Sequence, residues 1–346
     1  MKLKTAIIGL GKQSVEDHLP AALESSNFDV VAVCDVDQTR TQEISKKYSI
    51  EGFDNLNTLL QSMKIDVAIV AVPHDKYLEI VTQLAKAKVH IIKEKPFAIN
   101  KEEALRIHEV VSRNDVLLGV TLQRRFNPIF QAFHQLKKRI GKIYSIEGRY
   151  VMNIAKLDEG WRSSHQIAGG GVLIDMGYHF VDLLVWYMGL PTSVTARISR
   201  GNRLGQLYDV EDTANLLFDY SYGKNHEEKT VGNFVISRVY PKKEESLTFF
   251  GTNGIIMIQR GQIQRLDCNG DEIEKLSRVG GWPSAAVDQL DYFARKIHDR
   301  KERGIDQYLE HFKHIAIIEA AYESDRLSNS QNPHAFIPDM KSAQGD

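Results

Sequence analysis

Five short runs in the first third of the chain, Thr5–Ile8, Val30–Cys34, Val67–Val72, His90–Ile92 and Val116–Val120, are almost wholly apolar and rich in β-branched residues. Between them lie stretches with helical spacing, such as Tyr77–Ala87 and Lys101–Val111. A strand that is apolar on both faces must be covered on both. Alternation of such strands with helices therefore predicts a parallel, doubly wound sheet. Asn100 is placed to cap the second of these helices, with Glu102 and Glu103 at its positive end.

The pattern changes near Phe126–Pro128. A helix, a strand over Ile143–Tyr150, a polar Gly-containing loop and a helix over Gly170–Met188 are expected next. Longer strands follow at Ser193–Ser199, Thr213–Tyr220, Gly232–Ser237, Ser246–Phe250 and Ile255–Ile258. Segments Ser284–Asp299 and Asp306–Leu327 read as two closing helices, and the polar tail after Ser328 as loosely docked. The chain of 346 residues fits two domains of about 100–200 residues each. The expected architecture is α/β. Residues 1–125 form an N-terminal Rossmann doubly wound parallel sheet, and 126–346 a C-terminal α+β domain with a mostly antiparallel sheet.

Charge narrows the partners. A formal net charge of −1 and the lack of a basic patch argue against nucleic acid and against an anionic membrane surface. Lys137-Lys138-Arg139 reads as a solvated helix face near a C-terminus. No run of 18 apolar residues is present to span a bilayer. Lys2, Lys4 and the apolar run after them faintly resemble a signal peptide, but Gly9, Gly11 and Lys12 break that run. It reads as a first strand, and the protein is expected to be cytoplasmic. Cys34 and Cys268 are too far apart in sequence to suggest a ligand cluster, and a reducing compartment suits them.

Gly9-Leu10-Gly11-Lys12-Gln13-Ser14 follows the first strand directly. The first glycine allows a tight turn and the second lets the backbone approach a pyrophosphate. The third position needs only a small side chain, which Ser14 supplies. Backbone N–H groups at the helix start then hold the anion. Glycines in a turn are often only turn glycines. Asp35, closing the second strand, sharpens the pattern, because an acid there accepts from ribose hydroxyls and repels a 2′-phosphate. NAD is the expected cofactor, and Arg40 keeps NADP as the lesser alternative.

Two segments carry candidate chemistry. Lys93-Glu94-Lys95-Pro96 puts a lysine at the carboxyl end of a parallel strand, where open α/β sheets bind ligands. The plain alternative is a solvated turn. Pro96 keeps Lys95 out of helical geometry and makes a cis bond inexpensive. Gly169-Gly170-Gly171 leads into a helix with Asp175 and His179 four residues apart on one face. Gly177 between them implies that something approaches the backbone closely, such as a nicotinamide ring or the other domain. His179 and Asp182 could instead pair across one turn. A metal on Asp175, His179 and Asp182 lacks a completing cluster, so no metal is expected.

In this order and spacing, Gly9-x-Gly11 with Asp35, Glu94-Lys95-Pro96, and Gly170-Gly171 with Asp175-x-Gly177-x-His179 resemble the glucose–fructose oxidoreductase, inositol dehydrogenase and rhizopine catabolism (Gfo/Idh/MocA) family over nearly the whole chain. The resemblance implies a second domain whose open sheet packs on another subunit, giving a homodimer or homotetramer. It places the catalytic lysine on Lys95, the acid/base histidine on His179 and its supporting aspartate on Asp175. Gln123-Arg124-Arg125-Phe126-Asn127-Pro128 resembles the interdomain segment, setting Gln123 by the nicotinamide and Arg124 by the substrate. Trp161-Arg162 resembles a pair that faces cofactor or substrate. Val72, Pro73, His74 and Glu94 fall near the cofactor, although His74 and Tyr77 stand where many members carry asparagine and histidine.

The implied reaction is hydride transfer between a nicotinamide cofactor and a secondary alcohol of a sugar, sugar phosphate or inositol. His179 would take the hydroxyl proton, Lys95 would hold the oxygen, and Asp175 would orient the pair. Trp161, Arg162, His165 and Tyr178 suit hydroxyl recognition, and Trp282-Pro283 is a candidate loop over the site. Two other readings use the same motifs: a glycosidase that recycles bound NAD, and a non-catalytic NAD or sugar sensor.

Overall fold

The computed structural model describes residues 1–222, 228–278, 282, 284–299 and 306–338. Its first sheet is built from β1 (Leu3–Ile8), β2 (Phe28–Cys34), β3 (Glu51–Phe53), β4 (Val67–Val70), β5 (His90–Lys93) and β6 (Leu118–Val120). All pairings are parallel, in the order β3-β2-β1-β4-β5-β6. Its helices are α1 (Leu19–Glu24), α2 (Gln38–Tyr48), α3 (Leu56–Ser62), α4 (Tyr77–Lys86) and α5 (Lys101–Asn114). The chain reverses direction across the sheet between β1 and β4, which opens a ligand crevice at the carboxyl ends of the strands. Asn100 caps α5 as expected, its side chain accepting from the Glu103 N–H at 2.8 Å. The short strand β3 was not legible, because Glu51 and Gly52 are exposed and carry no apolar pattern.

The second unit starts with α6 (Pro128–Leu136) and β7 (Ile143–Asn153), continues through α7 (His165–Ala168) and α8 (Tyr178–Met188), and then lays down seven strands. These are β8 (Ser193–Ser199), β9 (Thr213–Tyr222), β10 (Glu228–Ser237), β11 (Val239–Gly251), β12 (Gly254–Gln259), β13 (Gln262–Leu266) and β14 (Glu272–Ser277). The sheet order is β14-β13-β12-β11-β7-β10-β9-β8, antiparallel except where β7 meets β10. The predicted fold class is therefore the observed one, with β13 and β14 added beyond β12; β14 is the edge strand, and its polar, mostly exposed residues gave no strand signal. His165–Met188 is long and apolar enough by composition to cross a membrane, but 78% of its most apolar window is buried inside the protein, as suits a core helix.

The chain then returns to the first sheet. Helix α9 (Ala285–His298) buries Leu290, Phe293, Ala294 and Ile297 against residues of β1, β4 and α1. Gln289 accepts the Leu122 N–H at 2.5 Å, and Asp291 accepts from Asn27 at 2.8 Å. The division at residue 125 is thus crossed, since a helix from the far end of the sequence closes the Rossmann unit. Helix α10 (Asp306–Leu327) packs against β8 and α8. The tail docks more firmly than its composition implied, because Gln331 and Val194 exchange two 2.8 Å backbone bonds. Residues 339–346 lie outside the described residues.

Candidate active site

The crevice begins at the turn after β1. Gly9 has φ +85°, and a Cβ there would lie 2.2 Å from the Ala71 carbonyl oxygen, so this position admits only glycine. A Cβ on Gly11 would meet nothing within 4 Å, leaving its backbone open to an approaching group. Ser14 is fully buried, and its hydroxyl has no partner among the described residues. Asp35 Oδ2 accepts the Leu10 N–H at 2.5 Å, and Oδ1 accepts the Asp37 N–H at 2.9 Å. Each oxygen retains a lone pair for a ribose hydroxyl. Arg40 lies 3.8 Å from Asp35 and 3.3 Å from Asp37. Lys12 and Gln13 point along the helix that follows, toward Glu16 at 3.9 Å and Asp17 at 2.6 Å. The turn, the open backbone and the carboxylate fit a dinucleotide.

The chemical end is assembled from distant segments. Lys95, joined to Pro96 by a cis peptide bond, donates to Asp175 Oδ1 at 2.6 Å and to the Asp175 carbonyl at 2.9 Å. Asp175 Oδ2 accepts from Arg238 Nη2 at 2.6 Å and from Arg162 Nε at 3.2 Å. Burial pushes the Asp175 carboxyl up, but Lys95, Arg238 and Arg162 outweigh it and hold the group well below the usual carboxylate range. His179 is half-buried and makes no hydrogen bond to another described residue. Burial and the cations Arg124 and Lys95 push its imidazole well below 6.5, against Glu94 and Asp175. A neutral ring with free nitrogens stands one turn beyond a carboxylate that holds an ammonium.

Lys95, Asp175, His179, Arg124 and Arg162 therefore gather as the sequence suggested. Arg124 pairs with Glu245 at 2.6 Å, and its guanidinium lies 5.1 Å from the Tyr150 ring and 5.4 Å from that of Phe180. Arg162 stacks over Trp161 at 4.2 Å. Gln123 opens the short helical turn after β6, and Val72 and Pro73 follow β4. Among the described residues no group of three or more His, Cys, Asp or Glu is disposed to hold a metal.

Several expectations need correction. His74 is buried; its Nδ1 lies 2.7 Å from the Ala168 carbonyl and its ring 4.5 Å from Trp161, so its side chain joins the two units. The Glu94 side chain also turns inward, 2.9 Å from His18 Nε2 and 2.7 Å from Thr121 Oγ1. Burial opposes its ionisation, yet the hydrogen bond and charge of His18 hold it at about 2. Tyr178 is fully buried, with its hydroxyl on the Phe97 N–H and His311, away from any substrate.

The helix expected over Gly170–Met188 is present and runs from Val172 to Met188. Leu173–Gly177 forms one wide turn ahead of α8, and the group crowding Gly177 is Ile236 of β10, 2.9 Å from where a Cβ would sit. Neither cofactor nor the first domain is needed to explain that glycine. Asp182 pairs with Arg125 at 2.5 Å, not with His179. Lys137 donates to the Tyr187 carbonyl at 2.7 Å, so the basic triplet is only partly solvated. Trp282 packs against the main apolar cluster, and Pro283 lies outside the described residues.

The sequence reading missed Arg238 and Glu245. Arg238 is 3% exposed and follows β10, 63 residues from its partner Asp175, so no local spacing could have linked them. Lys93 was also passed over, although it is fully buried under the Lys95 loop.

Residues 3–122 match the oxidoreductase family, NAD-binding Rossmann fold, and residues 135–257 match the GFO/IDH/MocA C-terminal domain. The chain is 28% identical over 225 residues to an uncharacterized oxidoreductase of Schizosaccharomyces pombe, covering 63% of this chain and 60% of that protein. It is 27% identical over 230 residues to the D-glucoside 3-dehydrogenase of Escherichia coli K12, covering 61% and 65%. The chain thus spans less than two thirds of the length of these curated relatives. A levoglucosan dehydrogenase in complex with NADH and levoglucosan superposes with a TM-score of 0.81 at 19% identity, covering 98% and 100%. The Rossmann unit is an NAD-binding domain, and the chain belongs to the Gfo/Idh/MocA oxidoreductase family.

Proposed function

We propose that this protein is an NAD-dependent dehydrogenase that oxidises a secondary alcohol of a sugar, sugar phosphate or inositol. The observation that carries this reading is the 2.6 Å pair of Lys95 with Asp175, with the free imidazole of His179 one turn away. When bound, the nicotinamide supplies the hydride acceptor. The Lys95 ammonium, held by Asp175, binds the substrate hydroxyl and stabilises negative charge developing on its oxygen. His179, neutral at pH 7, receives the hydroxyl proton. Asp175 keeps its charge throughout and orients Lys95. Arg162 and Trp161 offer a planar, half-exposed wall for a sugar ring. Asp35 favours NAD over NADP, with Arg40 reducing that preference. The exposed apolar residues Leu217 and Val231 on the second sheet support a homodimer or homotetramer, checked by size exclusion with light scattering.

The test is absorbance at 340 nm with purified protein, NAD or NADP, and a panel of free sugars, inositols, sugar phosphates and nucleotide sugars. NADH formation with one class supports the reading and names the substrate class. Tight NAD binding with no NADH from any member overturns it and favours the recycling glycosidase or the sensor.

A further inference from the structure

Lys93 closes β5 with its side chain fully buried, and it has no carboxylate at ion-pair distance among the described residues. Its ammonium donates to the Glu94 carbonyl at 2.9 Å, to the Pro96 carbonyl, and to the Phe97 carbonyl at 3.3 Å. The Tyr77 ring centroid lies 3.5 Å from Nζ. Three N–H donors therefore meet three carbonyls on one side and an aromatic face on the other. Two of those carbonyls, from Glu94 and Pro96, flank Lys95 directly. The Glu94–Lys95 and Pro96–Phe97 peptide groups, one on either side of Lys95, are thus tied to one buried atom.

The rest of the loop is tied by other groups. The Phe97 N–H donates to Tyr178 at 3.2 Å, and the Ile99 N–H to Glu103 Oε2 at 2.7 Å. These hold its far side, beyond Pro96. Lys93 binds the loop on both sides of Lys95. A neutral side chain of similar size would withdraw the Lys93 donors from all three carbonyls, at the cost of losing buried hydrogen bonds. Burial pushes the Lys93 amine down from 10.5 to about 7, against the raising effect of Glu103 and Glu94, so a charge at this position is costly. Its position is explained by what it holds.

We propose that Lys93 is a positioning residue: by gathering the Glu94, Pro96 and Phe97 carbonyls, it fixes the backbone that presents Lys95 to Asp175 and to the substrate oxygen. The proposal rests on the dehydrogenase reading only for its effect on turnover; the clamp itself is testable without a substrate. Displacements well under the length of a bond are enough to weaken a hydrogen bond to a reacting oxygen, so a loosened loop lowers kcat while leaving the dinucleotide site intact.

The test compares wild type with Lys93→Met by amide hydrogen–deuterium exchange, NAD titration and steady-state kinetics with the alcohol found in the 340 nm panel. Expected is exchange at least about tenfold faster at Phe97 and Ile99, with β1, β4 and α5 unchanged and NAD affinity within about twofold. Expected too is a kcat lower by about tenfold or more, with little change in KM. Unchanged exchange at Phe97 and Ile99 overturns the proposal, as does faster exchange spread evenly over the Rossmann unit, which marks a merely structural role. A normal kcat with a loosened loop also overturns it. If Lys93→Met does not fold, Lys93→Gln, which keeps an N–H donor, gives the same comparison with a smaller effect. If no panel member is oxidised by wild type, the dehydrogenase reading fails separately, and the exchange comparison still decides whether Lys93 clamps the loop.

Discussion

Lys95 and Asp175 are 80 residues apart in sequence, and their side chains meet at 2.6 Å, joining the end of β5 to the turn before α8. The pair is also an electrostatic hinge between cations, since Asp175 serves Arg238 and Arg162 as well. Removing either partner therefore has unequal results. Lys95→Met leaves Asp175 neutralised by two arginines, whereas Asp175→Asn leaves three cations facing each other. We expect both to lower kcat by about a hundredfold or more. Asp175→Asn alone should also lose about 3 kcal/mol of stability, the usual result of unpairing a buried charge. Thermal unfolding beside initial rates distinguishes them; equal loss of stability in both variants contradicts this account.

The pH profile should report His179. Its imidazole is pushed well below 6.5 by burial and by Arg124 and Lys95, so it stays an acceptor at neutral pH. The acidic limb of kcat/KM is therefore expected below pH 6.5. Arg124→Met removes one of the cations, so the limb should move toward higher pH. A limb that stays fixed in this variant, measured over about pH 4.5–8, argues against His179 as the base.

Stability should fall in acid because of His74. Burial lowers its pKa from 6.5 to about 3, so the folded protein holds this ring neutral while the unfolded chain protonates it. Between those values the unfolded state binds the extra proton. Stability is then fully present above pH 6.5 and declines as pH falls toward 3, by up to about 1.4 kcal/mol per pH unit for this one group. His311 and His314, also buried and lowered, add to the slope. His74→Phe should flatten the decline in urea midpoints between about pH 6.5 and 4.5 relative to wild type. An identical slope in the variant would show that His74 is not held neutral.

Cofactor preference should turn on two neighbours. Asp35 faces the ribose position with a lone pair on each oxygen, and Arg40 waits 3.8 Å away. Asp35→Ser is expected to shift the ratio of NAD to NADP kcat/KM toward NADP by about tenfold or more, because the repulsion disappears and the arginine remains. Asp35→Ser combined with Arg40→Ala should lose NADP use again. A ratio unmoved by the single change removes Asp35 from the ribose site.

Much of this was legible in the chain because the signals are local. The β1 run is followed at once by Gly9, in a turn that only glycine can make, and the buried β-branched strands dictate a sheet covered on both faces. Asp175 and His179 lie close in sequence, so their proximity could be read directly. The polar edge strand β14 gave no such signal, because an exposed strand need not be apolar on either face. Tyr178, beside His179, and His74, in the loop after β4, misled for the opposite reason: polar side chains near an expected site look like ligands until burial shows them bonded to protein.

The sequence by itself determined the parallel sheet, the dinucleotide turn and the identity of the groups able to carry acid–base chemistry, because each depends on residues within a few positions of one another. Only the tertiary structure decided that Arg238 and Glu245 enter the site, that Glu94 and His74 turn inward, and that Lys93 lies beneath the Lys95 loop. Those outcomes depend on which distant segments pack together. Packing also sets desolvation and charge proximity, which vary with distance in space and leave no periodicity in the chain.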